Sequence, residues 1–180
     1  MFITMARKKS PKVDAKFVRV FIVEGYTEEH YINRLKKIFK SPDKVINCKG
    51  GGAKSVLNKA KKTIDEGNYS EYVVVYDKDA DNTNNDGLRA KIRNKSDLVI
   101  LAPCFEMWLL CHFENRPAYL HCKDYIDCIK EKYIKNYEKN NAQVFECINE
   151  EKFLTAIRNN EEIGNKFKKY FKPEEQIKKE

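Results

Sequence analysis

The sequence predicts an α/β fold: a mostly parallel sheet flanked by helices, with a helical addition at the C-terminal end. Short β-branched and aromatic runs recur at residues 17–23, 45–47, 72–76 and 98–101. Between them lie stretches whose apolar residues recur at helical spacing, and from Cys104 onward the periodicity is helical only. Strands joined by helices imply right-handed βαβ units and a three-layer arrangement.

Residues 1–14 carry Arg7, Lys8, Lys9 and Lys12 with few apolar neighbours and read as a basic arm. Phe17–Val23 is almost continuously apolar and ends at Glu24-Gly25, as a strand buried on both faces would. Thr27 can cap the next helix, and Glu28 and Glu29 suit the positive end of its dipole. Tyr31, Leu35, Ile38 and Phe39 give that helix its apolar face, up to Ser41-Pro42. Val45–Asn47 is a short second strand leading into the glycine loop Lys49-Gly50-Gly51-Gly52-Ala53-Lys54-Ser55. A helix with Val56, Leu57, Ala60 and Ile64 follows, stopped by Gly67. Tyr72–Tyr76 is the strongest strand and runs straight into Asp77-Lys78-Asp79-Ala80-Asp81. A short helix over about residues 85–94 precedes the last strand, Leu98–Leu101, closed by Pro103. Phe105, Trp108, Leu109 and Phe113 then form one helical stripe, and residues 121–139 and 143–170 supply further amphipathic helices. The expected organisation is an arm over 1–14, an α/β core over 15–115 and a helical region over 116–180 packed on the core.

Composition narrows the class. With 180 residues and 42% hydrophobic side chains, there is apolar material for a core. No apolar run approaches the ~18 residues of a membrane helix, and the charge at the start follows the apolar stretch, the reverse of a secretory signal. A soluble, cytoplasmic protein with no membrane partner is expected. Lys and Arg number 35 against 27 Asp and Glu, giving +8, and residues 1–50 alone carry 12 basic and 5 acidic side chains. Such a local excess is what a polyanionic partner recruits, although a lysine-rich solvated surface has the same composition. The six cysteines form no C-x-x-C pair and read as reduced thiols. Cys104, Cys111-His112 and His121-Cys122 fit no common zinc spacing and read as buried thiols rather than a zinc site.

The chemistry lies at the strand ends, because ligands of open α/β sheets bind beyond the carboxyl edge. One strand finishes at Glu24, the strongest at Asp77-x-Asp79, with Asp81 two residues on. Alternate residues of an extended segment point the same way, so Asp77 and Asp79 can aim at one spot. Crowded carboxylates repel unless a cation neutralises them or one takes a proton, and all-oxygen donors select a hard ion such as Mg²⁺ or Mn²⁺. The two acidic strand ends together favour a metal site over an ordinary polar turn.

Three segments carry a family resemblance. Phe21-Ile22-Val23-Glu24-Gly25 with Thr27-Glu28-Glu29 and Tyr31, then Val73–Asp79, then Ala102-Pro103-Cys104-Phe105-Glu106-Met107-Trp108-Leu109-Leu110 resemble, in order and spacing, the signatures of the RloB-like family. The resemblance covers about residues 17–115 and thins to helical pattern beyond 120. It implies a Toprim-type fold, with Glu24 as general acid/base near the metal and Asp77 and Asp79 as metal ligands. It also implies a place in antiviral defence, often beside a large ABC- or SMC-like ATPase partner.

Other positions stay open at this level. Glu106 either completes the acidic cluster or is a helix N-terminal acid. Glu28 and Glu29 read as dipole partners, although one turn after Glu24 either could reach a second ion. The glycine loop lacks the G-x-x-x-x-G-K-[ST] pattern, so no ATP hydrolysis is inferred, and it reads as a flexible turn before a phosphate cradle. Lys49, Lys54, Lys59, Lys61 and Lys62 could steer nucleic acid toward the acids, or form a solvated face. Trp108 reads as core and no histidine as catalytic. The expectation is Mg²⁺-dependent phosphodiester hydrolysis by an endonuclease acting on RNA, such as tRNA, or DNA. The alternative is a non-catalytic subunit docked on the ATPase.

Overall fold

A computed structural model describes residues 18–78, 85–115, 118–119 and 121–172. The expected basic arm, Asp79 and Asp81 lie outside the described residues. Four strands, β1 (Arg19–Val23), β2 (Lys44–Asn47), β3 (Glu71–Asp77) and β4 (Asp97–Leu101), form one all-parallel sheet in the order β2-β1-β3-β4. With its flanking helices, this is the expected α/β, Toprim-like architecture.

Strand alternation builds two cores. Phe21, Val23, Val73, Val75, Val99 and Leu101 face one way, against α1 (Tyr26–Ile38) and the later helices. Val20, Ile22, Val74 and Tyr76 face the other way, against α2 (Gly52–Glu66) and α3 (Asp86–Arg93). Handedness explains the division. The chain moves from β1 outward to β2, then crosses back to β3 and on to β4, and right-handed crossovers in opposite directions put their helices on opposite faces. The apolar residues of β1 from Val20 to Val23 are fully buried, as their continuous run predicts. β4 is an edge strand instead, and Leu98 and Ile100 are only half-buried.

The first core extends without a break into α4 (Phe105–Leu110), α5 (Cys122–Lys132), a short 3-10 helix (Ala142–Phe145), α6 (Glu150–Asn159) and α7 (Glu161–Lys168). Phe171 stacks on Phe21 of the central strand at 5.4 Å, so the C-terminal helices bury the sheet face directly. The helix expected over 121–139 stops at Lys132, and residues 133–141 form turns. Leaving the helix frees Tyr137 to bury its ring and Lys139 to reach across to α1. The stretch expected over 143–170 is broken by asparagines that cap each new start. Asn149 accepts from the Lys152 amide at 2.9 Å and Asn160 from the Ile163 amide at 3.3 Å.

Where α6 meets α7 the backbones nearly touch. A Cβ on Gly164 would lie 2.6 Å from Ile157 Cα, a backbone atom that cannot swing aside. Gly164→Ala is therefore expected to destabilise the protein by about 1–3 kcal/mol, read as a lower denaturation midpoint with an unchanged slope.

Candidate functional site

The sheet reverses its winding between β1 and β3, and at such a switch point the connections leave in opposite directions and open a crevice at the carboxyl edge. Glu24 and Asp77 stand at that crevice. Val23 pairs in register with Val75, which sets the two strand ends side by side. The Asp77 amide donates to Glu24 Oε2 at 3.2 Å, so the two acids predicted to converge are in direct contact through the backbone. Asp79 and Asp81, which continue the same segment, lie outside the described residues.

The first turn of α1 brings a third acid. Gly25 is the N-cap in extended conformation, and Glu28 Oε2 accepts from its amide at 3.0 Å. Thr27, expected to cap this helix, lies inside it, because Gly25 already leaves the strand in the extended geometry a cap needs. The Thr27 hydroxyl donates to the Lys139 carbonyl at 2.8 Å instead. Glu28 is buried, and burial pushes its carboxyl up to about 7, with the Glu24 and Glu106 charges adding in the same direction. Glu29 points to the sheet edge, where it accepts from Asn47 Nδ2 at 2.7 Å and ties α1 to the end of β2.

Because the Glu28 pKa is raised on folding, protons favour the native state between about 4.5 and about 7, and the stabilisation present below 4.5 is lost as pH rises through 7. Glu28→Gln keeps the acceptor for the Gly25 amide and removes the charge. It is expected to be more stable than the wild type at pH 8 by up to about 3 kcal/mol, with the difference vanishing near pH 4 in paired thermal melts.

Glu106 enters from α4. Its side chain is buried, and Oε1 accepts from Tyr137 Oη at 3.0 Å and pairs with Lys139 Nζ at 3.1 Å. Oε2 is buried with no hydrogen-bond partner among the described residues. Burial pulls the Lys139 pKa down, but the Glu106 carboxylate, and more weakly Asp77, outweigh it, so the ammonium is held charged above its ordinary value. Cys104, the extended N-cap of α4, is buried in the same neighbourhood; burial and the charges of Glu106 and Asp77 push its thiol well up, the opposite of a reactive cysteine. Glu24, Glu28, Asp77 and Glu106 thus share one electrostatic environment, framed by Tyr137 and Lys139. Neither of those two residues stands out in the sequence, because only the turn at 133–141 brings them back over α1 and α4.

The basic residues divide. The glycine loop crosses the end of β1, with the Gly50 amide donating to the Glu24 carbonyl at 2.8 Å. Lys49, Gly50, Gly51 and Gly52 all take positive φ, and a Cβ on Gly51 would lie 3.0 Å from Ser55. Lys49 and Lys54 are exposed at this end of the molecule, and Lys59 and Glu24 both act on the half-buried Cys48 thiol. Lys61 pairs with Asp65 at 2.6 Å, and it and Lys62 lie farther along α2, which runs away from the crevice.

The aromatic signature is structural. Trp108 is fully buried, stacks on Phe167 at 5.3 Å and donates from Nε1 to Tyr31 Oη at 2.9 Å. His112 Nδ1 faces the Trp108 and Leu109 carbonyls at 3.1 and 3.2 Å, which only accept, so that nitrogen carries the hydrogen. Its Nε2 then accepts from Tyr31 Oη at 3.0 Å, and burial holds the ring neutral with a pKa lowered to about 4. With both nitrogens engaged, His112 is no zinc ligand.

Among the described residues no three His, Cys, Asp or Glu side chains are arranged to hold one ion by themselves. The donors at the crevice are nevertheless all carboxylate oxygens, and Mg²⁺ is commonly held by one or two carboxylates with water and substrate completing its shell. This donor set suits a hard divalent cation and no soft one. No described helix is long and apolar enough to cross a membrane.

A family model described as RloB-like protein matches residues 20–176. The match runs past residue 115, where the recognisable motifs end, and takes in the turn at 133–141 that supplies Tyr137 and Lys139. No curated protein and no solved structure matches the chain. With its three signature segments lying at the strand ends of one parallel sheet and most of its length matched, the chain belongs to the RloB-like family.

Proposed function

We propose that the protein is a metal-dependent phosphodiesterase, an endonuclease acting on RNA or DNA in antiviral defence. The observation that carries this reading is the contact between the Glu24 carboxylate and the Asp77 backbone at the switch point of the sheet. Asp77, with Asp79 from the adjoining segment, would hold Mg²⁺ or Mn²⁺. When bound, such an ion stabilises charge on the scissile phosphate and lowers the pKa of its water. Glu24, oriented by the Asp77 amide, holds and moves the proton between water and the leaving oxygen. Lys49, Lys54 and Lys59 neutralise the incoming phosphates, while Lys61 and Lys62 add long-range attraction rather than contacts.

The test is direct. Purified protein with Mg²⁺ or Mn²⁺, offered tRNA, single-stranded RNA and plasmid DNA, is expected to cut at least one of them and to stop on chelation. The reading in which the chain is a silent subunit of an ABC- or SMC-like ATPase predicts no cutting of any substrate, and that result would favour it.

A further inference from the structure

Glu106 and its partners ask for a separate explanation. A carboxylate buried to 1% exposure is costly unless a cation meets it, and the cation present is the protein's own. Lys139 Nζ stands 3.1 Å from Glu106 Oε1, and Tyr137 Oη donates to the same oxygen at 3.0 Å. The backbone that carries Lys139 is pinned as well, since its carbonyl accepts from Thr27 in the first turn of α1. Three elements therefore converge to set one ammonium over the acids: α4 through Glu106, α1 through Thr27, and the turn at 133–141. The other Glu106 oxygen is buried without a hydrogen-bond partner among the described residues, and the Glu106 charge is felt at Glu28. Lys139 itself is 51% exposed, so its charge faces both the pocket and the solvent from which a substrate would come.

In two-metal phosphodiesterases, two divalent ions about 4 Å apart clamp the attacking and leaving oxygens. Here Glu106, the acid nearest at hand for a second ion, is already paired with an ammonium. An ion set against Glu106 would have to displace Lys139 or tolerate its charge, and like charges that close repel even when partly screened. We propose that Lys139 is a positioning residue that takes the place of a second divalent ion, so that the site binds one ion, on the Glu24–Asp77 side. This rests on the metal-dependent reading above and extends it to the number of ions and to the residue that sets that number.

The test counts Mn²⁺ by isothermal titration of the metal alone, without substrate. Wild type is expected to bind one ion per chain, and Lys139→Arg also one. Lys139→Met is expected to bind two, because Glu106 is released to a second cation, and Lys139→Met with Glu106→Gln is expected to return to one. Lys139→Gln keeps a donor for Glu106 without the charge, and it carries the same expectation of two should the Met variant not fold. Two ions in the wild type, or one ion in both uncharged variants, would overturn the role of Lys139 while leaving metal dependence intact. No ion in the wild type would instead remove the metal-dependent reading and this inference with it.

Discussion

Asp77→Asn and Glu24→Gln are each expected to lower metal-dependent cutting by at least about a hundredfold, without loss of the fold. The expectation follows from how little structure either change disturbs. Gln at position 24 retains an oxygen to accept the Asp77 amide, and Asn at 77 retains the strand pairing of Asp77 with Leu101. What each change removes is a negative charge at the crevice, on the ligand in one case and on the proton carrier in the other. The two losses should also differ in kind. Asp77→Asn weakens the apparent affinity for Mg²⁺, so added metal restores part of the rate, whereas Glu24→Gln lowers the rate at saturating metal. A variant at either position that cuts normally at limiting metal would remove that residue from the proposed chemistry.

The largest effect on stability is expected at Trp108. Trp108→Ala deletes a fully buried ring stacked on Phe167 and takes the indole N–H away from Tyr31, for an expected cost of about 3–5 kcal/mol. The loss spreads because Tyr31 in turn donates to His112, whose other nitrogen is tied to the α4 backbone. Trp108→Phe keeps most of the apolar volume and should cost clearly less. Tyr31→Phe leaves the Trp108 N–H and His112 Nε2 without their buried partner and is expected to cost about 1–3 kcal/mol. Urea titrations of the three variants check the order Ala above Phe at 108, with Tyr31→Phe between or below. If Trp108→Ala unfolded at the wild-type midpoint, the structural role assigned to the aromatic signature would be wrong.

The sheet was legible because its strands are near-continuous apolar runs, and only parallel strands covered on both faces need such runs. Val20–Val23 and Val73–Tyr76 are of this kind, and the acids that follow them mark the carboxyl edge. Thr27 misled, since a threonine before two glutamates has the pattern of a cap, while Gly25 had already taken that position and the hydroxyl was spent on Lys139. The segment at 133–141 was not legible as a turn. Ile134 and Tyr137 continue a helical apolar spacing, and nothing local shows that Tyr137 and Lys139 answer a buried carboxylate about thirty residues away. From sequence alone Glu106 is either a cluster member or a dipole partner. The structure buries it and pairs it with Lys139, which the first-turn position alone does not require. Long-range pairings of this sort leave no periodic trace, so the half of the pocket built by the strands could be read from sequence and the half built by the turn could not.

On the proposed reading, β1 and β3 bring Glu24 and Asp77 to one divalent cation at the carboxyl edge of the sheet. Paramagnetic broadening of backbone amide signals by substoichiometric Mn²⁺ tests it most directly, because the effect falls steeply with distance from the ion. Glu24, Gly25, Asp77 and Lys78 are expected to fade first, and Asp77→Asn to abolish the pattern. Broadening centred elsewhere on the molecule, or an unchanged pattern in that variant, would contradict it.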